Sequence, residues 1–297
     1  MCGIAGILNL SKKKISKEEI KKSLNSIKHR GPDDQGYWLN NDNNIALLNT
    51  RLSIQDLSSN GKQPMMSDDG RFVLVFNGEI YNFNSLKKNY LSNEFFKSNS
   101  DTEVILKLFI KYNYKFLEFL EGMFALAIYD KKFKKLLLAR DEFGIKPLYY
   151  HLSDKQLIFS SEIKTFFKLD VNKRVNLRAI SSYLSSEYYE NRSKTFFKDI
   201  SKLESGKYIE FKGKKLFKKN YFNFRNYSRK IFIPKNFNDR KHKLKQIISR
   251  CVKNGLVSDV PISIASSGGL DSSILQSEAF KYNKNASLIS WDVKENK

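Results

Sequence analysis

The sequence predicts an α+β fold, with a layered αββα domain followed by the first βα unit of a doubly wound α/β domain. Its first part alternates amphipathic helices with strand pairs joined by tight turns. A stretch over 218–235 is aromatic and aperiodic, as in a linker. After Pro261, a strand, a glycine–serine loop and a helix follow in order. We therefore expect domains at 1–215 and 237–297, joined by a linker at 216–236.

The composition indicates enough apolar residues for two ordinary hydrophobic cores. Of the 297 residues, 41% are hydrophobic, so disorder is not expected. No run approaches the roughly 20 apolar residues of a membrane span, and no N-terminal segment resembles a secretion signal. Because Cys2 and Cys251 are the only cysteines, there is neither a disulfide framework nor zinc-ligand spacing. We expect a reducing, cytoplasmic location.

The formal net charge of +22 raises the question of an anionic partner. Lysine is spread along the whole chain, and no zinc finger, arginine-rich arm or aromatic–basic RNA-binding pattern accompanies it. We therefore interpret the lysines as a solvated surface and predict neither a nucleic-acid nor a membrane partner.

Each element of the first domain is predicted from a local pattern. Two capping boxes, Ser16–Glu19 and Ser100–Glu103, precede apolar residues at helical spacing and predict the starts of two helices. The predicted strands cover 3–8, 47–54, 71–76, 124–129, 135–139, 147–151, 156–160 and 208–211. Short polar or glycine-containing turns after the later strands predict three hairpins, which favours antiparallel sheets.

The second domain is predicted to open with a βαβ unit. Asn238 and Asp239 are expected to cap a helix in which Cys251 lies among apolar positions and belongs to the core. A strand over 262–265, a loop over 266–273 and a helix over 274–280 follow, and 288–291 is expected to be the next strand. A strand, a helix and a second strand in this order are typical of the parallel strands of a doubly wound sheet.

The first residues combine the groups that a thiol nucleophile needs. If Met1 is removed, Cys2 carries a thiol and a free α-amine on one carbon, and an amine titrating near pH ~8 can accept the thiol proton. Gly3 and Gly6 permit a tight backbone beside the sulfur. A cysteine at position 2 is usually incidental, so this motif needs support from the rest of the chain.

Other residue types suit the binding of an amino-acid amide around such a thiol. Asn77 and Gly78 offer N–H donors for an oxyanion, and Arg51 offers a guanidinium for a carboxylate. Glu79 and Asp101 offer acceptors for an ammonium group. Each residue also has an ordinary alternative: a surface strand residue for Arg51, a hairpin turn for Asn77–Gly78, and a helix cap for Asp101.

Several motifs in one order carry a family resemblance. They are Met1–Ile4, Arg30–Asp33, Arg51–Ile54, Asn77–Asn82, Ser100–Glu103, Arg140–Asp141 with Gly144–Tyr150, and Phe159–Lys164. Together they resemble the N-terminal-nucleophile (Ntn) glutamine amidotransferases, and most of all the glutamine-hydrolysing asparagine synthetases. The resemblance covers about the first 210 residues and implies an Ntn-hydrolase-type fold.

The resemblance also implies roles for particular residues. Cys2 would be the nucleophile, and Asn77 with Gly78 would form the oxyanion hole. The residues implied to hold glutamine are Arg51, Leu52, Ser53, Ile54, Gln55, Asn77, Gly78, Glu79 and Asp101. No cofactor is implied for this glutaminase half.

The loop after Pro261 separates this family from relatives that transfer ammonia to sugars. Its residues are Ser266, Ser267, Gly268, Gly269, Leu270, Asp271, Ser272 and Ser273. Between a strand and a helix, such a loop can cradle an anion, although a plain flexible turn is the alternative. It resembles the pyrophosphate loop of ATP pyrophosphatases, with Asp271 helping to hold Mg²⁺ on the leaving pyrophosphate. Two departures occur: Ser266 replaces an apolar residue, and Glu142 replaces a proline.

The resemblance implies an asparagine synthase, an ATP-dependent carbon–nitrogen ligase. Its substrates would be glutamine, aspartate and ATP, its cofactors ATP and Mg²⁺ in the synthetase half, and no resident metal site is predicted. Because only one complete βα unit fits between Pro261 and Lys297, we expect a truncated chain that makes no asparagine by itself. A homodimer, a missing C-terminal synthetase portion, and a chain acting only as a glutaminase or ammonia-supplying subunit are left open.

Overall fold

The computed structural model describes residues 2–186 and 193–290, and it forms two compact units divided between Phe224 and Arg225. The strands of the first unit are β1 (Gly3–Asn9), β2 (Asp34–Leu39), β3 (Ile45–Arg51), β4 (Met65–Met66), β5 (Phe72–Ile80), β6 (Gly122–Asp130), β7 (Lys135–Arg140), β8 (Tyr149–Leu152), β9 (Gln156–Ser160), β10 (Ser201–Lys202), β11 (Lys207–Lys212) and β12 (Lys215–Asn220). Its helices are α1 (Lys17–Ile27), α2 (Phe83–Tyr90), α3 (Asp101–Tyr112), α4 (Lys164–Lys168) and α5 (Leu177–Ser186).

Two six-stranded antiparallel sheets pack face to face in the first unit. Their strand orders are β10-β8-β9-β1-β3-β2 and β12-β11-β7-β6-β5-β4. Ile4 and Leu8 of β1 lie in the core between the sheets with Val73 and Val75 of β5, whereas Ile7 faces helices α1 and α4. This alternation along one strand follows from the two-residue period of the pleat. It confirms the predicted αββα layers, with α3 packed on the outer side of β5.

The two predicted capping boxes behave differently. At the start of α1, the Glu19 amide donates to Ser16 Oγ at 3.1 Å, and the Ser16 amide donates to the Glu19 carboxylate at 2.8 Å. At the start of α3, Ser100 accepts the Glu103 amide, but the Glu103 carboxylate accepts the amides of Lys97 and Ser98 instead. The second box is therefore half formed, because Glu103 fastens the preceding loop to the helix.

The three predicted hairpins are confirmed as β6–β7, β8–β9 and β11–β12. Several strand limits differ from the prediction; β3, predicted over 47–54, covers Ile45–Arg51. β5 continues through Asn77 and Gly78 to Ile80, so these residues lie within a strand and the hairpin-turn alternative is wrong. β12 pairs along its length with β11, so the first residues of the predicted linker at 216–236 belong to the sheet. The domain limits themselves stay a prediction.

The second unit contains α6 (Phe224–Ser228), which begins at the division, then α7 (Phe237–Gly255), β13 (Ser263–Ser266), α8 (Leu270–Tyr282) and β14 (Ser287–Ser290). β13 and β14 pair in parallel around α8, which confirms the predicted βαβ order. Trp291, predicted to end the last strand, lies outside the described residues. No helix among the described residues is long and apolar enough to cross a membrane.

Three details of the second unit correct the sequence prediction. Asn236, rather than Asn238 or Asp239, caps α7, because its side chain accepts the amides of both. Cys251 is exposed, so its assignment to the core is wrong; α7 has no buried residue in the part of the chain that the structure describes. The helix predicted to start at Ile274 begins at Leu270, so the second half of the predicted loop is its first turn.

Candidate active site

A cavity in the first unit brings together most of the residues predicted for the glutaminase site. It encloses about 500 Å³ of space, including open solvent. The described residues that line it are Cys2, Arg51, Leu52, Ile54, Gln55, Gln63, Phe76, Asn77, Gly78, Glu79, Ser100, Asp101, Thr102 and Lys146. Of the predicted residues, Ser53 is not among them; its backbone amide donates to Asp33 at 2.8 Å. The site therefore forms where β1, β3, β5 and α3 converge.

Cys2 directly precedes β1, and hydrogen bonds to the backbone hold it in place. Arg30 Nε donates to the Cys2 carbonyl at 3.0 Å, and the same guanidinium pairs with Glu162 at 2.7 Å. Two residues along the strand, the Ile4 amide donates to Ser161 Oγ at 3.1 Å. Two of the sequence motifs, around Arg30 and around Glu162, thus fix the end of the strand that carries the sulfur.

The Cys2 thiol faces a polar but largely desolvated pocket. Its Sγ donates to the Leu52 carbonyl at 3.7 Å. Burial raises the pKa of the thiol, and the nearby Asp101 carboxylate adds to this, whereas the Leu52 contact and the Arg51 guanidinium act in the opposite direction. A thiolate is the nucleophilic form of cysteine, so the pocket must supply a base or a cation if Cys2 is to react at neutral pH.

Asn77 and Gly78 line the same cavity as the thiol. Asn77 is fully buried, and among the described residues neither its Nδ2 nor its Oδ1 has a hydrogen-bond partner. Leaving a buried amide unpaired costs roughly 1–3 kcal/mol. At Gly78 a Cβ would lie 2.2 Å from the Met123 carbonyl oxygen, so only glycine permits the pairing of β5 with β6 here. An unpaired amide at a cavity wall is available to form a hydrogen bond with a bound substrate.

Arg51 organises the loop that follows β3. Its Nη2 donates to the Gln55 carbonyl at 3.0 Å and to the Asp56 carbonyl, and its Nη1 contacts the Ser58 carbonyl at 3.4 Å. Gly61 is needed beside it, because a Cβ would lie 2.3 Å from Nη2. The guanidinium is buried and lines the cavity. Its contact with a substrate carboxylate stays a prediction.

Two carboxylates define the end of the cavity near the start of α3. Asp101 accepts the Ile80 amide at 3.0 Å; burial raises its pKa to about 7, and the negative charge of Glu79 contributes. Burial also raises the pKa of Glu79, whereas the positive charge of Lys146 lowers it. Near neutral pH these groups are acceptors suited to an ammonium group.

Lys146 is the cavity residue that the sequence prediction missed. It lies in the Gly144–Tyr150 motif, which was recognised without a role at the site. The buried Asp141 carboxylate accepts the amides of Ile145 and Lys146 at 2.8 and 2.9 Å, so the loop that carries Lys146 is tightly fixed. Gln63 and Thr102 also line the cavity and hydrogen-bond to each other at 3.3 Å. Thr102 belongs to the Ser100–Glu103 motif but was given no role at the site, and no sequence signal singled out Gln63.

In the second unit, the predicted ATP-loop residues connect β13 to α8. Gly268 has a left-handed φ of +76°, and Gly269 precedes the helix without a side-chain cap. The hydroxyls of Ser272 and Ser273 donate to the Gly269 carbonyl at 3.0 and 2.9 Å. Uncapped amides at a helix N-terminus can bind an anion. Asp271 lies in this first turn, and the described residues contain no cluster of three or more His, Cys, Asp or Glu side chains that could hold a metal.

The layered sheets and a cysteine-lined cavity at the start of the first strand define an Ntn-type glutamine amidotransferase. The glutamine amidotransferase domain profile matches residues 1–222, and the chain belongs to that family. The asparagine synthase profile matches residues 243–296.

Curated relatives extend over both units. The chain is 36% identical over 288 residues to asparagine synthetase [glutamine-hydrolyzing] 2 of Bacillus subtilis, covering 92% of this chain and 38% of that protein. It is 33% identical over 284 residues to asparagine synthetase B [glutamine-hydrolyzing] of Escherichia coli, covering 95% and 45%. Amidase chry2 of Gibberella zeae is 32% identical over 286 residues, covering 92% and 42%. The chain thus spans about half the length of these relatives or less.

A solved structure supports the fold. The glutamine phosphoribosylpyrophosphate amidotransferase from Bacillus subtilis aligns with a TM-score of 0.56 at 16% identity, covering 99% of this chain and 67% of that chain. At this identity the likeness supports the fold and carries nothing about the substrate.

Proposed function

We propose that the first unit hydrolyses glutamine to glutamate and ammonia with Cys2 as the nucleophile. The observation that carries the proposal is the buried, unpaired amide of Asn77, which lines the same cavity as the Cys2 thiol. A buried amide without a partner is unfavourable in the resting protein, and it becomes satisfied when an oxyanion forms beside it. The family and the named relatives support a glutamine-dependent amidotransferase.

In the proposed reaction, the Cys2 sulfur attacks the side-chain amide carbon of glutamine. The carbonyl oxygen becomes an oxyanion, which accepts hydrogen bonds from Asn77 Nδ2 and the Gly78 amide. Collapse of this intermediate expels ammonia, which carries the proton released by the thiol. Water then hydrolyses the thioester to glutamate and restores the thiol.

The binding groups in this proposal match the charges of an α-amino acid. Arg51, which already fixes the loop of Leu52 to Gln55, grips the α-carboxylate with its remaining donors. Glu79 and Asp101 accept hydrogen bonds from the α-ammonium group. Only the side-chain amide is then left to face Cys2, and this arrangement would select glutamine by length.

For the whole protein we propose glutamine-dependent asparagine synthesis, with aspartate activated by ATP as β-aspartyl-AMP. Support comes from the asparagine synthase profile over 243–296 and from the named relatives. The uncapped amides at the start of α8 and the Ser272 and Ser273 hydroxyls fit a pyrophosphate group. Asp271 would hold Mg²⁺ together with the phosphates and water, and the metal would neutralise the charge of the leaving pyrophosphate.

A glutaminase that supplies ammonia to a partner is the second candidate. It is favoured because every described residue that lines the cavity belongs to the first unit. Glutamine hydrolysis therefore needs no group from the second unit. Formation of asparagine and AMP from glutamine, aspartate and ATP distinguishes the two functions, since the glutaminase releases only glutamate and ammonia.

The experiment that tests the proposal compares Cys2→Ala with Cys251→Ser. We expect Cys2→Ala to lose glutamine hydrolysis while retaining glutamine binding, because the binding groups are untouched. Cys251→Ser changes an exposed thiol in the second unit and should hydrolyse glutamine at the wild-type rate. Glutamate formation by Cys2→Ala would show that another residue is the nucleophile.

A further inference from the structure

Lys146 is a buried cation beside the candidate nucleophile. It is 4% exposed and lines the same cavity as Cys2 and Glu79. Within the described residues, no hydrogen-bond acceptor pairs with its Nζ and no carboxylate oxygen lies within the 4.0 Å of an ion pair. A lysine side chain that is buried without an ion-pair partner loses part of its hydration, which is unfavourable. Lys146 therefore contributes a positive charge to the cavity that is free to act on the other charged groups there.

The backbone of Lys146 is fixed more firmly than a solvent-facing loop requires. The Asp141 carboxylate accepts amides from Phe143, Ile145 and Lys146 itself. Arg140 Nε donates to the Lys146 carbonyl at 2.6 Å. Because buried charged groups hold both the amide and the carbonyl of Lys146, the backbone that places this side chain at the cavity wall is fixed.

Four charged or ionisable groups act on the Lys146 ammonium: Glu79, Cys2, Arg30 and Asp141. The Asp141 carboxylate is already engaged by backbone amides, and Arg30 is a cation paired with Glu162. Glu79 shares the positive charge of Lys146, since each lowers the cost of ionising the other. Glu79 acts on the Lys146 ammonium more strongly than Cys2 does, but Glu79 is an ordinary carboxylate, whereas Cys2 becomes an anion only when its thiol loses a proton.

We propose that the Lys146 ammonium stabilises the Cys2 thiolate and so acts as a positioning residue for the nucleophile. The inference rests on the proposed role of Cys2. Burial and the Asp101 carboxylate oppose ionisation of the Cys2 thiol, whereas the N-terminal ammonium and Arg51 favour it. Lys146 adds a further cation to the wall of the same cavity, and opposite charges favour the charged form. The lysine needs no contact with glutamine to have this effect.

The test measures how the rate of Cys2 alkylation by iodoacetamide depends on pH, in the full chain without glutamine. Iodoacetamide is uncharged, so Lys146 does not attract or repel it, and mapping by mass spectrometry separates Cys2 from the exposed Cys251. In Lys146→Met we expect the pH midpoint for Cys2 to rise by about one unit. At pH values below the midpoint, Cys2 of Lys146→Met should be alkylated roughly tenfold more slowly than Cys2 of the wild type. Lys146→Arg keeps the cation and should retain a midpoint near that of the wild type.

An unchanged midpoint in Lys146→Met would overturn the proposal, and so would an equal upward shift in Lys146→Arg. Lys146→Gln serves as the second uncharged variant if Lys146→Met fails to fold. The Cys251 rate in each variant provides an internal reference, because that thiol lies outside the cavity. Alkylation does not depend on glutamine hydrolysis, so a wild-type chain without glutaminase activity would refute the proposed function and leave this test interpretable.

Discussion

At the scale of single residues, the cavity is built from polar groups that the fold buries at a cost to stability. Asn77 has two unpaired amide atoms among the described residues, Asp101 is a buried carboxyl group, and Lys146 is a buried ammonium. Each is unfavourable in the free protein. Their concentration around Cys2 distinguishes a binding site from a structural polar network, in which donors and acceptors satisfy one another.

Asn77→Ala tests this interpretation directly. We expect kcat for glutamine hydrolysis to fall by roughly 10²–10³, as for the loss of one oxyanion donor. The melting temperature should stay the same or rise, because an unsatisfied buried amide is removed. A fall in melting temperature that accounts for the lost activity would assign Asn77 to the support of β5 instead.

The substitution Asp101→Asn should stabilise the protein relative to the wild type, and by more at high pH than at low pH. Burial raises the pKa of Asp101 from 3.8 to about 7, so between these values the native state holds a proton that the unfolded state releases. The contribution of protonated Asp101 to the free energy of unfolding is fully present below pH ~4 and is lost as the pH rises through 7. Asn does not titrate, so the melting temperature of the variant should exceed that of the wild type more at pH 8 than at pH 5.

The same variant should bind glutamine more weakly at pH 8, because a charged acceptor for the ammonium group is replaced by a neutral one. A difference in melting temperature that does not change between pH 5 and pH 8 would contradict the raised pKa of Asp101.

At the scale of elements, β5 contributes four consecutive residues, Phe76 to Glu79, to the cavity. It pairs with β6 over its full length, and the stretch from Asn77 to Glu79 passes the cavity while still hydrogen-bonded in the sheet. The proposed oxyanion donors therefore lie on a strand, which holds them more firmly than a loop would. The position of Gly78 is set by the close approach of the β6 backbone.

Gly78→Ala should therefore lower both stability and activity. The added Cβ would lie 2.2 Å from the Met123 carbonyl oxygen and 2.8 Å from the Phe124 Cα, so the strands must separate locally. We expect a loss of roughly 1–3 kcal/mol in the free energy of unfolding. Gly255→Ala is the matched control: a Cβ there meets nothing within 4 Å, and the melting temperature should not fall. A stable, active Gly78→Ala protein would show that β5 and β6 are not packed this closely.

Sequence patterns predicted the secondary-structure elements and the reactive residue types better than they predicted which residues contact one another. The buried strand predicted over 3–8 and the Ser16–Glu19 capping box rest on local signals, and the structure confirmed both. Cys2, Asn77 and Asp101 carry distinctive chemistry, so their motif could be recognised before their proximity was known. Lys146 looked like any of the many lysines, because only the tertiary fold buries it. Cys251 was misassigned because an apolar helix pattern does not say what covers the helix.

At the scale of the whole molecule, the cavity lies entirely within the first compact unit, and the loop assigned to ATP lies in the second. The two proposed chemistries are therefore separate along the chain: release of ammonia at Cys2 and activation of an acceptor after Pro261. The central claim is that ammonia is released at Cys2 with glutamine bound beside it.

The most direct test of that claim is labelling of the full chain with a glutamine analogue that carries an electrophilic carbon in place of the side-chain amide. We predict one label per chain, on Cys2, formed more slowly when glutamine competes and at an unchanged rate with asparagine, whose side chain is one methylene shorter. Labelling of Cys251 instead of Cys2, or labelling of Cys2 that glutamine does not slow, would contradict the account.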